Sequence, residues 1–127
     1  MTEAAITMRI PAQTRFVGVA RVTAASLAAD LGFSVDGIDD VVAGVNELVA
    51  MLIEWAEDNG CQTMALQFTL TDDELRADVH VEDADRVPAS PEPDILDDLA
   101  RRILDRVVDE YHIDGPSGWV RRGLQTP

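Results

Sequence analysis

The chain contains no lysine; its ten basic residues are all arginine. A G+C-rich genome explains the bias plainly. Its chemical consequence is that no lysine can hold a phosphate or serve as a catalytic amine. Cysteine occurs once, at Cys61, which excludes an internal disulfide and fits a reducing compartment. No apolar run approaches the roughly 18 residues that a membrane span requires. The opening Met-Thr-Glu-Ala-Ala-Ile has neither the basic start nor the apolar stretch of a secretion signal. These absences together predict a cytoplasmic protein.

What is present is a chain of ordinary domain size. Its 127 residues suit a single domain over 1–127 with a core of its own, and 46% hydrophobic with 27% charged residues reads as globular. Acids dominate the charge, 24 against ten arginines, for a formal −14. Such a surface repels phosphate backbones and anionic lipid, so no nucleic-acid or membrane-surface partner is expected. Eleven of the acids lie between Asp72 and Asp98, opposed only by Arg76 and Arg86, a local −9. A solvated face or loop is the commonest form of such a run.

Apolar periodicity orders the elements. Ile6, Met8 and Ile10 alternate with Thr7 and Arg9 before Pro11, a short first strand. Thr14 is a fair N-cap for a helix over 15–31 with the stripe Ala20, Ala24, Leu27 and Leu31, stopped by Gly32. Ser34 caps a longer helix ending near Asn59-Gly60, with Ile38, Val41, Val42, Val45, Leu48, Val49, Leu52 and Ala56 inward. Asp40, Gly44, Glu47, Met51, Glu54 and Asp58 then fall on its outward side. Met64, Leu66, Phe68 and Leu70 alternate with polar or small residues, as do Leu75, Ala77, Val79 and Val81. Thr71-Asp72-Asp73 joins these two runs as a hairpin with one wet face. Residues 83–92 read as a loop, and Pro93 opens a third helix to about Asp109 with Ile95, Leu96, Leu99, Ile103 and Val107 as its stripe. Tyr111–Asp114 and Trp119–Leu124 form a last strand pair about Gly115-Pro116-Ser117-Gly118, the facing of the final strand being ambiguous. The order β-α-α-β-β-α-β-β predicts an α/β (α+β) two-layer sandwich, a mainly antiparallel sheet with three helices on one face.

Three stretches carry a resemblance. Val45-Asn46-Glu47-Leu48-Val49-Ala50-Met51-Leu52-Ile53-Glu54-Trp55-Ala56 resembles the second-helix motif of the GHKL (histidine-kinase-like) ATPase superfamily, in its anti-sigma-factor serine kinase branch. Leu27–Ser34 is similar to the link between that family's first two helices, and Ile103–Tyr111 to its third helix running into a strand. The family binds Mg-ATP. The resemblance implies that its helix glutamate, which can activate a nucleophile, corresponds to Glu47, and its metal-binding asparagine to Met51. Trp55 stands where histidine is common. A thioether suits Mg²⁺ poorly, since the ion prefers hard oxygens. The family's Asp-x-Gly-x-Gly segment falls within Glu82–Pro88, where Asp83 or Asp85 can supply the aspartate but both glycines are missing. Its Gly-rich phosphate loop is replaced by Ser90-Pro91-Glu92-Pro93-Asp94, and no glycine occurs between Gly60 and Gly115. Glu47, Met51, Asp83 and Asp85 thus read as degenerate nucleotide-site positions. No ATP cofactor, no metal and no catalytic residue are expected, with Glu47 either a relic base or an ordinary helix glutamate.

Other residues favour plain readings. Trp55 suits a partly buried anchor. Met51 is either a lone surface hydrophobe or a filler beneath the 83–94 loop. His80 and His112 lack spaced partners for a metal, and Cys61 lacks a helix N-terminus to activate it. Arg101, Arg102, Arg106, Arg121 and Arg122 either gather into one basic patch or pair locally, as Asp98 with Arg102. The resemblance implies a regulator that binds a sigma factor or an anti-anti-sigma domain, commonly as a homodimer, without ATP turnover. The alternatives are an active ATP-dependent serine kinase and an interaction module with no sigma-factor link.

Overall fold

Alternation along two runs sets the centre of the molecule. In the computed structural model, which describes residues 3–84 and 97–124, Met64, Leu66, Phe68 and Leu70 on β2 (Thr63–Leu70) and Leu75, Ala77, Val79 and Val81 on β3 (Glu74–Val81) are all buried. Their intervening neighbours are half-buried or exposed. The hairpin closes through the Thr71 N–H donating to the Glu74 carbonyl at 3.0 Å. Around it lie β1 (Ala4–Pro11), α1 (Val17–Leu31), α2 (Val35–Asp58), α3 (Asp98–Val107), β4 (Glu110–Asp114) and β5 (Ser117–Gly123). The sheet runs β1-β2-β3-β5-β4, every neighbour antiparallel. Helix α2 crosses β3 and β5 on one face, flanked by α1 and α3. This is the two-layer α+β arrangement, and the element order, that periodicity predicts.

The last strand resolves its facing in an unexpected way. Gly118, Val120 and Arg122 turn toward the helices, while Trp119 and Arg121 lie on the open face. Gly118 is required there. A Cβ would stand 2.8 Å from Leu48 Cδ1 and 3.0 Å from the His112 carbonyl, so the strand could not approach α2 so closely. The β4–β5 turn needs only Gly115 and Pro116, with Gly115 at a φ of 64° that suits glycine. On the open face the Arg76 guanidinium stacks 4.3 Å from the Trp119 ring centre while bonding Asp78 at 3.0 Å. Arg121 is held firmly in its charged form, chiefly by its hydrogen bond to Glu110.

Several local readings need correction. Thr14 does not cap α1: it begins a 3-10 turn, Thr14–Phe16, and the α-helix starts at Val17 after Phe16, which gives no side-chain cap. The deepest α1 contacts are Val17, Ala20, Ala24 and Ala28, with Leu27 and Leu31 half-buried. Ile53 joins the buried side of α2, whereas Ile38 and Val42 are half-buried. For α3 the cap is Asp97, whose carboxylate accepts the Ala100 N–H at 2.8 Å. The expected start at Pro93, with Ile95 and Leu96, lies outside the described residues. The buried residues of α3 are Ala100, Leu104 and the expected Val107; Ile103 is half-buried against the core, and Leu99 is exposed. Leu99 and Ala100 both satisfy a three-to-four spacing, and only packing against α2 chooses between them. No helix among the described residues is long and apolar enough to cross a membrane.

Candidate functional site

Helix α2 carries the candidate positions, and its ends fix their height above the sheet. The Ser34 hydroxyl accepts the Gly37 N–H at 3.1 Å, capping the start as expected. Asn59 closes the other end, its side-chain amide donating to the Trp55 carbonyl at 2.8 Å. Between them the stripe Asp40, Gly44, Glu47 and Met51 is less outward than its polarity suggests. Gly44 is buried, because the chain leaving α3 crosses it: a Cβ there would lie 2.5 Å from Val108 Cγ1. Asp40 accepts from Arg122 at 3.0 Å. Two features of the fold, a glycine contact and a buried arginine, thus close the N-terminal half of the stripe. Neither gives a periodic signal in sequence.

Beyond Gly44 the stripe opens. Glu47 is half-buried, and its Oε2 accepts from the Asn46 side-chain amide at 3.4 Å. The Asn46 side-chain Oδ1 in turn accepts from Arg21 Nη1 of α1 at 2.9 Å. Asn46 and Arg21, which the periodicity did not single out, therefore hold the environment of the carboxylate. Met51 and Trp55 are half-buried and pack against the core.

The turn after β3 places Asp83 beside the start of β2. Its carboxylate oxygens accept the Gln62 N–H at 3.3 and 3.4 Å, and its carbonyl lies 3.7 Å from the buried Cys61 sulfur. Asp85 lies outside the described residues, as does most of the 83–94 loop expected above Met51. Among the described residues, no group of three or more His, Cys, Asp or Glu is placed to hold a metal ion. His80 and His112 are exposed on the open sheet face.

The five C-terminal arginines are not one patch. Arg122 is buried on the helix side, Arg121 lies on the opposite sheet face, and Arg101, Arg102 and Arg106 are exposed on α3. The expected Asp98–Arg102 pair does not form.

No family model matches the chain. Curated relatives do. The sequence is 39% identical over 70 residues to the serine-protein kinase RsbW of Halalkalibacterium halodurans, covering 55% of this chain and 43% of that protein. It is 27% identical over 128 residues to the RsbW of Bacillus licheniformis, covering 89% and 80%. It is 32% identical over 71 residues to the RsbW of Oceanobacillus iheyensis, covering 55% and 45%. The first and third matches thus span less than half the length of the relatives concerned. Over these stretches the chain is similar to serine-protein kinases named RsbW.

Proposed function

We propose that this chain is an anti-sigma-type regulatory protein that binds a sigma factor or an anti-anti-sigma domain, as a cytoplasmic homodimer, and does so without ATP turnover. The observation that carries the loss of nucleotide chemistry is Met51. It packs half-buried against the core, one turn beyond Glu47, where the resemblance requires a hard-oxygen metal ligand. Glu47 alone does not make a magnesium site, and the Asp83 carboxylate already accepts a backbone N–H. These residues do not fit Mg-ATP. The similarity to serine-protein kinases RsbW supports a protein partner. The homodimer draws support from β1, a sheet edge of eight residues whose one charge, Arg9, is tied to Glu82.

The test has two arms. Calorimetric titration with Mg-ATP to about 1 mM would register any complex stronger than about 4 kcal/mol; no saturable heat is expected. A stress-type sigma factor from the same genome should bind equally well with and without Mg-ATP. Saturable nucleotide binding, or phosphate transfer to a serine of an anti-anti-sigma domain, would reinstate the kinase.

A further inference from the structure

The chain has an excess of acid, yet among the described residues two arginines one helical turn apart go unused. Among the described residues, Arg9, Arg76, Arg121 and Arg122 are ion-paired, Arg15 stacks on Phe16 and Arg21 bonds Asn46. Arg102 and Arg106 on α3 make no hydrogen bond, ion pair or ring contact. They are one turn apart on the same flank, with side chains about 5–6 Å apart at Cβ. Leu99, three positions before Arg102, is 68% exposed, and half-buried Ile103 borders it. The inward side of the helix is already satisfied by Ala100, Leu104 and Val107.

Intrahelical effects leave part of this unexplained. Arg106 lies in the last turn and Asp98 in the first, both favourable to the helix dipole. That account covers neither Arg102 nor Leu99. Asp98 stands four residues before Arg102, the favourable order for a pair, and still does not engage it. Asp105 is drawn away to the Tyr111 hydroxyl, which donates to it at 2.8 Å.

We infer that the Leu99–Arg102–Arg106 flank of α3 is a docking stripe for an acidic amphipathic segment of a protein partner. Carboxylates about one turn apart on that segment would meet the two guanidinium groups, and an apolar side chain between them would cover Leu99. Charge complementarity selects this occupant: the two guanidinium groups would repel a basic segment, and a short acidic segment meets them without lying along the rest of the −14 surface, as a long polyanion would have to. The inference specifies a surface for the partner binding proposed above and rests on that reading for the partner's identity.

The probe is a synthetic helical peptide with glutamates about one turn apart beside a leucine, together with its glutamine counterpart. In isotope-edited NMR the acidic peptide should shift the amides of Leu99 to Val107 at low salt and release at high salt. The double variant Arg102→Glu/Arg106→Glu should weaken binding about tenfold or more, and Leu99→Ala several-fold. Leu99→Ala alters an exposed side chain, so it keeps the test valid if the double variant misfolds. Absence of binding, shifts confined to other elements, or equal binding of the glutamine peptide would overturn the stripe. A sigma factor supplies the second arm. If the parent binds it and the double variant binds it equally, the stripe is wrong and the regulatory reading stands. If the parent binds no sigma factor yet holds the acidic peptide on α3, the stripe stands and the regulatory reading falls.

Discussion

Arg122 of β5 reaches across the helix-facing side of the sheet to Asp40 of α2, its Nη2 3.0 Å from the carboxylate. Only 7% of the arginine is exposed. Its second contact, to Asp109, is longer at 3.6 Å, and its Nε has no partner. A buried charge with an orphaned donor is a poor source of net stability, but losing its partner is costly. Asp40→Ala should therefore cost about 1–3 kcal/mol, the lower part of the range being favoured because Asp40 is partly exposed. Arg122→Leu, which removes the charge and the orphan together, should cost less. Urea denaturation of both variants decides it. A larger loss for Arg122→Leu would mean that the guanidinium is a net anchor.

Two helix glycines should answer alanine with opposite signs. At Gly18 of α1 the nearest atom to an added Cβ is the flexible end of Arg21, 3.6 Å away, so Gly18→Ala should gain about 0.5–1 kcal/mol from helix propensity. At Gly44 the Cβ would meet Val108 Cγ1 at 2.5 Å, and overpacking of about 1–3 kcal/mol outweighs that gain. Thermal midpoints should move up for the first and down for the second. A rise for Gly44→Ala would show that Val108 yields freely.

Restoring the resembled residue at Met51 tests the packing of the stripe. Met51→Asn exchanges a side chain packed on the core for an amide and should cost about 1 kcal/mol or more. It should not create ATP binding, because the glycines of both nucleotide loops are still missing. A variant that melts like the parent would place Met51 free in solvent, and one that binds Mg-ATP would reduce the lost site to a single substitution.

Assembly through β1 is readable by mass. Light scattering over a range of concentration should report twice the chain mass of 13.8 kDa, with the dimer favoured at high salt as the charge of −14 is screened. A mass of 13.8 kDa at every concentration and salt would leave only hetero-partner binding.

The sheet and α2 were legible because burial on one face imposes a period that any reader can count. Met64 to Leu70, Leu75 to Val81 and the core side of α2 follow it almost without exception. The face of α3 is legible only in part, because Leu99 fits the helical period as well as Ala100 and Leu104 do and yet is exposed. A small residue marks close approach, not weak burial. The same logic hid Gly44 and Gly118, whose missing side chains are what bring Val108 and Leu48 near. Arg122 was opaque for another reason. Its partners Asp40 and Asp109 are distant in sequence, and no local pattern announces an inward arginine. At the candidate site, resemblance marks Glu47 and Met51, while Asn46 and Arg21 come together only through the packing of α1 on α2.

The sheet order puts the last strand inside. β5 lies between β3 and β4, so the inner edge of β3 stays unpaired until residues beyond Gly115 have been synthesised and have cleared the ribosome. During that interval the nascent chain presents β3 as a bare template with Leu75, Ala77, Val79 and Val81 along it, the kind of edge that recruits chaperones or other chains. Capture of this protein by chaperones or other chains should thus depend on how quickly β5 docks once β3 is exposed. A substitution in β5 that slows its docking should lower soluble yield even where it leaves the folded state as stable as before.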